Sequence, residues 1–158
     1  MPRPPARLVL RVAAGALAAV VTAGLWSWPV PPPHPIARPY VAPTAPWAPG
    51  HRGIDIRALE GAEVRAPDAG VVHFAGWVVD RPVVSIRHAG GVLSSFEPVQ
   101  PAVETGDVVT RGDVIGVLQA GGHCATPCLH LGARIDGQYV NPLLFLGGLE
   151  HSVLYPLD

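Results

Sequence analysis

The chain has 158 residues, 18 of them Gly and 19 Pro, with aromatic residues at 6% and a formal net charge of −1. That leaves room for one modest domain with flanking segments, not for two. All 11 basic residues are Arg and none of them cluster on a periodic segment, so the positive footprint of a nucleic-acid partner is missing.

At the start of the chain, Arg3, Arg7 and Arg11 precede an uncharged stretch from Val12 to Val30, the pattern of an export signal with a positive and then an apolar region. Residues 1–30 are therefore expected to form a hydrophobic helix that is either a signal peptide or a membrane anchor. Val21-Thr22-Ala23 offers small residues to a signal peptidase, while the apolar run approaches the roughly 20 residues that cross a bilayer. Both outcomes stay open. In either, the arginines remain inside and everything after Pro31 is delivered outside the cytoplasm, with the membrane touched only through this segment. Trp26, Trp28 and the prolines that follow end such a helix at an interface.

Prolines recur every few residues across 31–49, at Pro31, Pro32, Pro33, Pro35, Pro39, Pro43, Pro46 and Pro49, which forbids a helix or a central strand. This segment reads as a stiff linker. A ligand for a proline-binding module ranks lower, because nothing basic flanks the prolines in a repeated pattern.

From Gly50 onward short β-branched runs alternate with glycine. Gly70–Gly76, Val83–His88 and Val92–Phe96 read as strands, and Ala89-Gly90-Gly91 and Asp136-Gly137 as the turns between them. No stretch keeps a helical period for three turns. The expected fold is all-β, an antiparallel sandwich or open barrel with a groove over residues 50–147, followed by a tail at 148–158. Two Gly-Asp-Val units, at Gly106 and Gly112, fit a strand, a tight turn and a returning strand.

Side chains on a strand alternate faces, so Cys128 and His130 emerge on one side, and an extended His51–Asp55 segment presents both of its ends together. His51, Asp55 and His130 then supply two nitrogens and one carboxylate, the donor set of a zinc site that keeps a fourth position open. His34, His73 and His151 read as ordinary imidazoles. Cys124 and Cys128 are the only thiols, and export places them where disulfides persist. Either they form a short bridge, or a Cys128 thiolate joins His130 on the metal and closes the site.

The segments Gly50-His51-Arg52-Gly53-Ile54-Asp55-Ile56, Ala66–Val72, Ile86–Gly91, Gly106–Gly116 and Leu129-His130 through Asn141-Pro142 follow one another as in the lysostaphin-type (LytM-like) metallopeptidases, which the region of about residues 50 to 147 resembles. The resemblance implies a β core with a long groove, Zn2+ held by His51, Asp55 and His130, and cleavage of peptide crosslinks in bacterial peptidoglycan. It also exposes two departures. Cys128 stands where active relatives carry the first helper histidine, and Pro98 where they carry the second. Neither replacement does the work of an imidazole. Glu97 and His123 are the candidates to replace them as catalytic residues. A metallopeptidase with weak or lost activity and a noncatalytic wall-binding or regulatory module are therefore both expectations. The Gly-Asp-Val units also resemble biotinyl and lipoyl carrier folds, but those need a lysine to modify, and the chain has none.

Overall fold

The computed structural model describes residues 26–147; the expected leader helix before Trp26 and the tail 148–158 lie outside the described residues. Eleven strands follow in order: β1 (Ile36–Arg38), β2 (Gly53–Arg57), β3 (Glu63–Arg65), β4 (Gly70–Val78), β5 (Arg81–His88), β6 (Leu93–Glu97), β7 (Val99–Pro101), β8 (Val108–Val109), β9 (Val114–Leu118), β10 (Cys128–Ile135) and β11 (Gln138–Val140). A single helical turn, α1 (Leu143–Leu146), comes last. The larger sheet runs β1-β2-β10-β6-β5-β4-β8 with β11 added to β10, the smaller one β3-β9-β7, and every pairing is antiparallel. The all-β expectation holds.

Alternation along each strand decides which face is core. On β10, Leu129, Leu131 and Ala133 are fully buried, and so are Ile54 and Ile56 on β2, Phe96 on β6, and Val84 and Ile86 on β5. They meet Val64, Val99, Ile115 and Leu118 from the smaller sheet, so one apolar layer is closed between two sheets. The residues between them, His130, Gly132 and Arg134 on β10, Asp55 on β2 and Leu93, Ser95 and Glu97 on β6, line the opposite face. The Asp136-Gly137 turn holds both residues at positive φ, 48° and 78°, the two-residue hairpin geometry expected of that pair.

The Gly-Asp-Val units behave differently from the expected hairpin. β8 pairs with β4 in the larger sheet and β9 with β3 and β7 in the smaller. The two units are instead a repeated turn. Asp107 Oδ2 accepts the Glu104 N–H at 2.8 Å, and Asp113 Oδ2 accepts the Thr110 N–H at 2.7 Å. Each aspartate closes its own loop, and the chain crosses between sheets.

The proline-rich stretch is laid along the domain instead of standing off as a tether. Its proline-free triplet Ile36-Ala37-Arg38 pairs with β2 at the sheet edge, a place in a sheet that tolerates neighbouring prolines. Val41 bridges His51, and the Tyr40 hydroxyl donates to the Tyr139 carbonyl at 2.9 Å. Trp26 and Val30 are buried in the core, with Trp26 stacked on Phe145 at 4.5 Å. The packed domain thus already includes Trp26, not only residues from Gly50.

Candidate metal centre

Strand register brings the central pair together: Asp55 on β2 lies directly opposite His130 on β10. His51 is fixed just before β2 by its backbone bridge to Val41. As a result, Asp55 Oδ1 lies 3.1 Å from His51 Nε2 and 2.8 Å from His130 Nδ1, and the two nitrogens are 3.2 Å apart. Gly53 makes room for this. A Cβ there would sit 2.6 Å from His130 Nε2 and would also collide with the Leu131 carbonyl.

The donor set fits a zinc ion. His51 Nδ1 donates to the Pro39 carbonyl at 2.7 Å, which turns Nε2 towards the Asp55 carboxylate, and such an outer bond is the usual way a ligating histidine is oriented. Donors about 2.0–2.1 Å from a tetrahedral zinc lie roughly 3.3 Å from one another. The three observed separations, 2.8 to 3.2 Å, are close to that triangle. Burial alone would raise the Asp55 pKa, but hydrogen bonds from His130 and His123 and the charges of His51 and His123 outweigh it and hold the group at about 2. The carboxylate is ionised and ready to bind a cation.

His123 completes the group. Its Nε2 lies 2.7 Å from Asp55 Oδ2, the carboxylate oxygen that His51 and His130 leave free, and the donor atoms of His51, Asp55, His123 and His130 all lie within 4.8 Å of one another. The loop that carries it is tied at both ends. Gln119 N–H donates to the Pro98 carbonyl at 3.0 Å, and Cys124 is bridged to Cys128. Gly121 and Gly122 turn the chain at φ 105° and 76°, and a Cβ on Gly122 would meet the Pro98 ring at 3.4 Å. Pro98 and Cys128 thus both anchor the loop that brings His123 to His51, Asp55 and His130.

The disulfide settles the cysteine question: Cys128 is bonded to Cys124 and is not a thiolate ligand. Glu97 sits across from His130 in the β6–β10 register, but its Oε2 accepts from Arg81 Nε at 2.8 Å. No local pattern in the sequence points to that arginine. His34 stacks on Trp28 at 4.5 Å and bonds the Val30 carbonyl, an ordinary imidazole as expected; His151 lies outside the described residues. His73 is less ordinary, since its Nδ1 accepts from Arg87 Nη2 at 3.0 Å on the groove face.

Residues 49–142 match the family model of peptidase family M23. The uncharacterized protein Rv2891 of Mycobacterium tuberculosis is 43% identical over 122 residues, 73% of this chain and 49% of its own length, so the chain spans about half of that relative. DD-carboxypeptidase/endopeptidase Mpg of Neisseria meningitidis serogroup B is 39% identical over 94 residues, 59% of this chain and 22% of Mpg. Murein hydrolase activator EnvC of Escherichia coli is 36% identical over 98 residues, 61% of this chain and 23% of EnvC. Among solved structures, the catalytic domain of lysostaphin from Staphylococcus simulans superposes with a TM-score of 0.64 at 21% identity, covering 73% of this chain and 93% of that one, a likeness of fold.

Proposed function

The chain belongs to peptidase family M23, and from that premise we propose that it is an exported zinc hydrolase acting on peptide crosslinks of bacterial peptidoglycan. The observation that carries the reading is the buried triangle of His51 Nε2, Asp55 Oδ1 and His130 Nδ1. Zinc held there supplies polarisation of a scissile carbonyl and a lowered pKa for attacking water. The remaining work falls to this chain's own groups. Asp55 and His51 hold the ligand geometry, the latter through Pro39. His123 Nε2 donates to Asp55 Oδ2; with Asp55 engaged by a metal and the ring proton on Nδ1, Nε2 becomes free to take the proton from the nucleophile and pass it to the leaving amine. Glu97 is the weaker helper because Arg81 already occupies its carboxylate.

A positioned general acid or base contributes about 10²–10⁴-fold, so His123→Ala should lower kcat by that order while Glu97→Gln leaves it within about threefold. The deciding experiment pairs zinc analysis of the full chain with a peptidoglycan digestion assay and a His130→Ala control. Peptide release that survives His130→Ala contradicts the site.

One observation favours a second reading, a noncatalytic regulator of the wall. Pro98 and Cys128 stand where the family resemblance expects helper imidazoles, and EnvC, a relative, is by name an activator of murein hydrolases. Bound zinc with no peptide released by the wild type would support it.

A further inference from the structure

The groove face continues past the metal ligands along the strands. His130, Gly132 and Arg134 follow one another on that face of β10, and Arg134 lies opposite Leu93 on β6, which lies opposite Arg87 on β5. Arg87, Leu93 and Arg134 therefore form one row across three neighbouring strands. His73, on the irregular part of β4, joins the row through its bond to Arg87. Together with Gly91, Asp136 and Gly137 these residues line a cavity of about 370 Å³.

Its chemistry is that of an anion site. No ion pair between described residues involves Arg87 or Arg134. Arg134 is steadied over the Tyr139 ring, 5.3 Å from its centroid. In accepting from Arg87 through Nδ1, His73 keeps its Nε2–H as a further donor. Between the row and the metal ligands the floor is Gly53, Gly132 and Ser95, where a side chain on Gly132 would run into Ser95 Oγ at 2.5 Å. Only small residues of these strands thus lie between the two places.

We infer that the row Arg87, Arg134 and His73 is a subsite for a carboxylate carried by the peptide substrate. The inference rests on the hydrolytic reading for the identity of its peptide. Arg134 lies four positions beyond His130 on β10, about 13 Å at roughly 3.3 Å per residue, and an extended peptide lying along the strand covers that span in about four residues. The carboxylate therefore belongs about four residues from the bond to be cut. Guanidinium forks match a planar carboxylate. Asp136, at the rim of the same cavity, opposes a second negative charge and so disfavours a phosphate dianion.

The test uses the zinc-loaded full chain and three fluorescent peptides with the same sequence. Four residues beyond the central bond they end in a carboxylate, a carboxamide or a phosphate ester. The carboxylate peptide should bind about tenfold more tightly than the carboxamide, as expected for charge-assisted hydrogen bonds at a partly exposed site. The double variant Arg87→Gln with Arg134→Gln should erase that difference while keeping its zinc. Equal binding of carboxylate and carboxamide by the wild type, a preference that survives the double variant, or tighter binding of the phosphate ester would each overturn the subsite. Failure of the hydrolytic reading looks different: the carboxylate preference persists in a wild type that releases no peptide.

Discussion

Two buried polar groups built around histidine occupy opposite faces of the larger sheet. On the core face, His88 has a partner for each ring nitrogen, the Ala69 carbonyl at 2.9 Å and Ser94 Oγ at 2.7 Å. On the groove face, His51, His123 and His130 all turn a nitrogen towards the single carboxylate of Asp55. The first arrangement is complete without any ligand, as buried polar groups in a core must be. The second converges on one buried carboxylate from three imidazoles, a donor set that fits a cation. A histidine's burial is therefore a poor guide to its role, and the direction of both its nitrogens is a good one.

The sharpest way to separate the two groups is to remove one imidazole from the groove face. His123→Ala should cut turnover by about 10²–10⁴-fold. Next comes Gly53→Ala, whose methyl would press on the His130 ring. It should weaken zinc affinity by about 10–100-fold, the range seen when a ligand's orientation is disturbed, as read by competition with a chelating dye. Across the sheet, Ser94→Ala strands His88 Nε2 in the core and should cost about 1–3 kcal/mol in a denaturant melt while leaving zinc content alone. If Ser94→Ala instead strips zinc, the two faces are coupled and the comparison fails.

Acid should distinguish the two groups by window in the chelator-treated protein. Burial lowers the His88 pKa below 6.5 against the opposing pull of the Ala69 carbonyl and Asp68. The unfolded chain then binds the proton more readily, so this contribution is full above about pH 6.5 and declines below it. Asp55 is held at about 2 against an ordinary 3.8, and its contribution stays intact until the pH falls below about 4 and is lost towards pH 2. Melting temperatures should show a shallow decline beginning near pH 6.5, removed by His88→Gln, and a steeper one below pH 4, removed by Asp55→Asn.

What the sequence made legible was whatever depends on local period. Alternation in Leu129-His130-Leu131 and the glycines around it marked the strands, and the same alternation put His51, Asp55 and His130 forward as ligands. Features set by distant packing were hidden. Nothing in Gly106-Asp107-Val108 announces that its repeat at Gly112 feeds a different sheet. Trp26 read as an interface residue until Phe145 supplied its stacking partner. His123 is a candidate in the sequence by residue type alone, because its placement depends on Pro98 and the Cys124–Cys128 bridge acting together. Arg87 and Arg134 needed the register of three strands to become neighbours, although their faces follow from the period that marked His130.

The most direct measurement is X-ray absorption at the zinc edge on the full chain reconstituted with one equivalent of zinc. Nitrogen and oxygen donors at about 2.0–2.1 Å, with imidazole outer shells and no sulfur, are the expected result. A zinc–sulfur distance of about 2.3 Å, or failure of the chain to retain stoichiometric zinc, would contradict an ion shared by His51, Asp55 and His130.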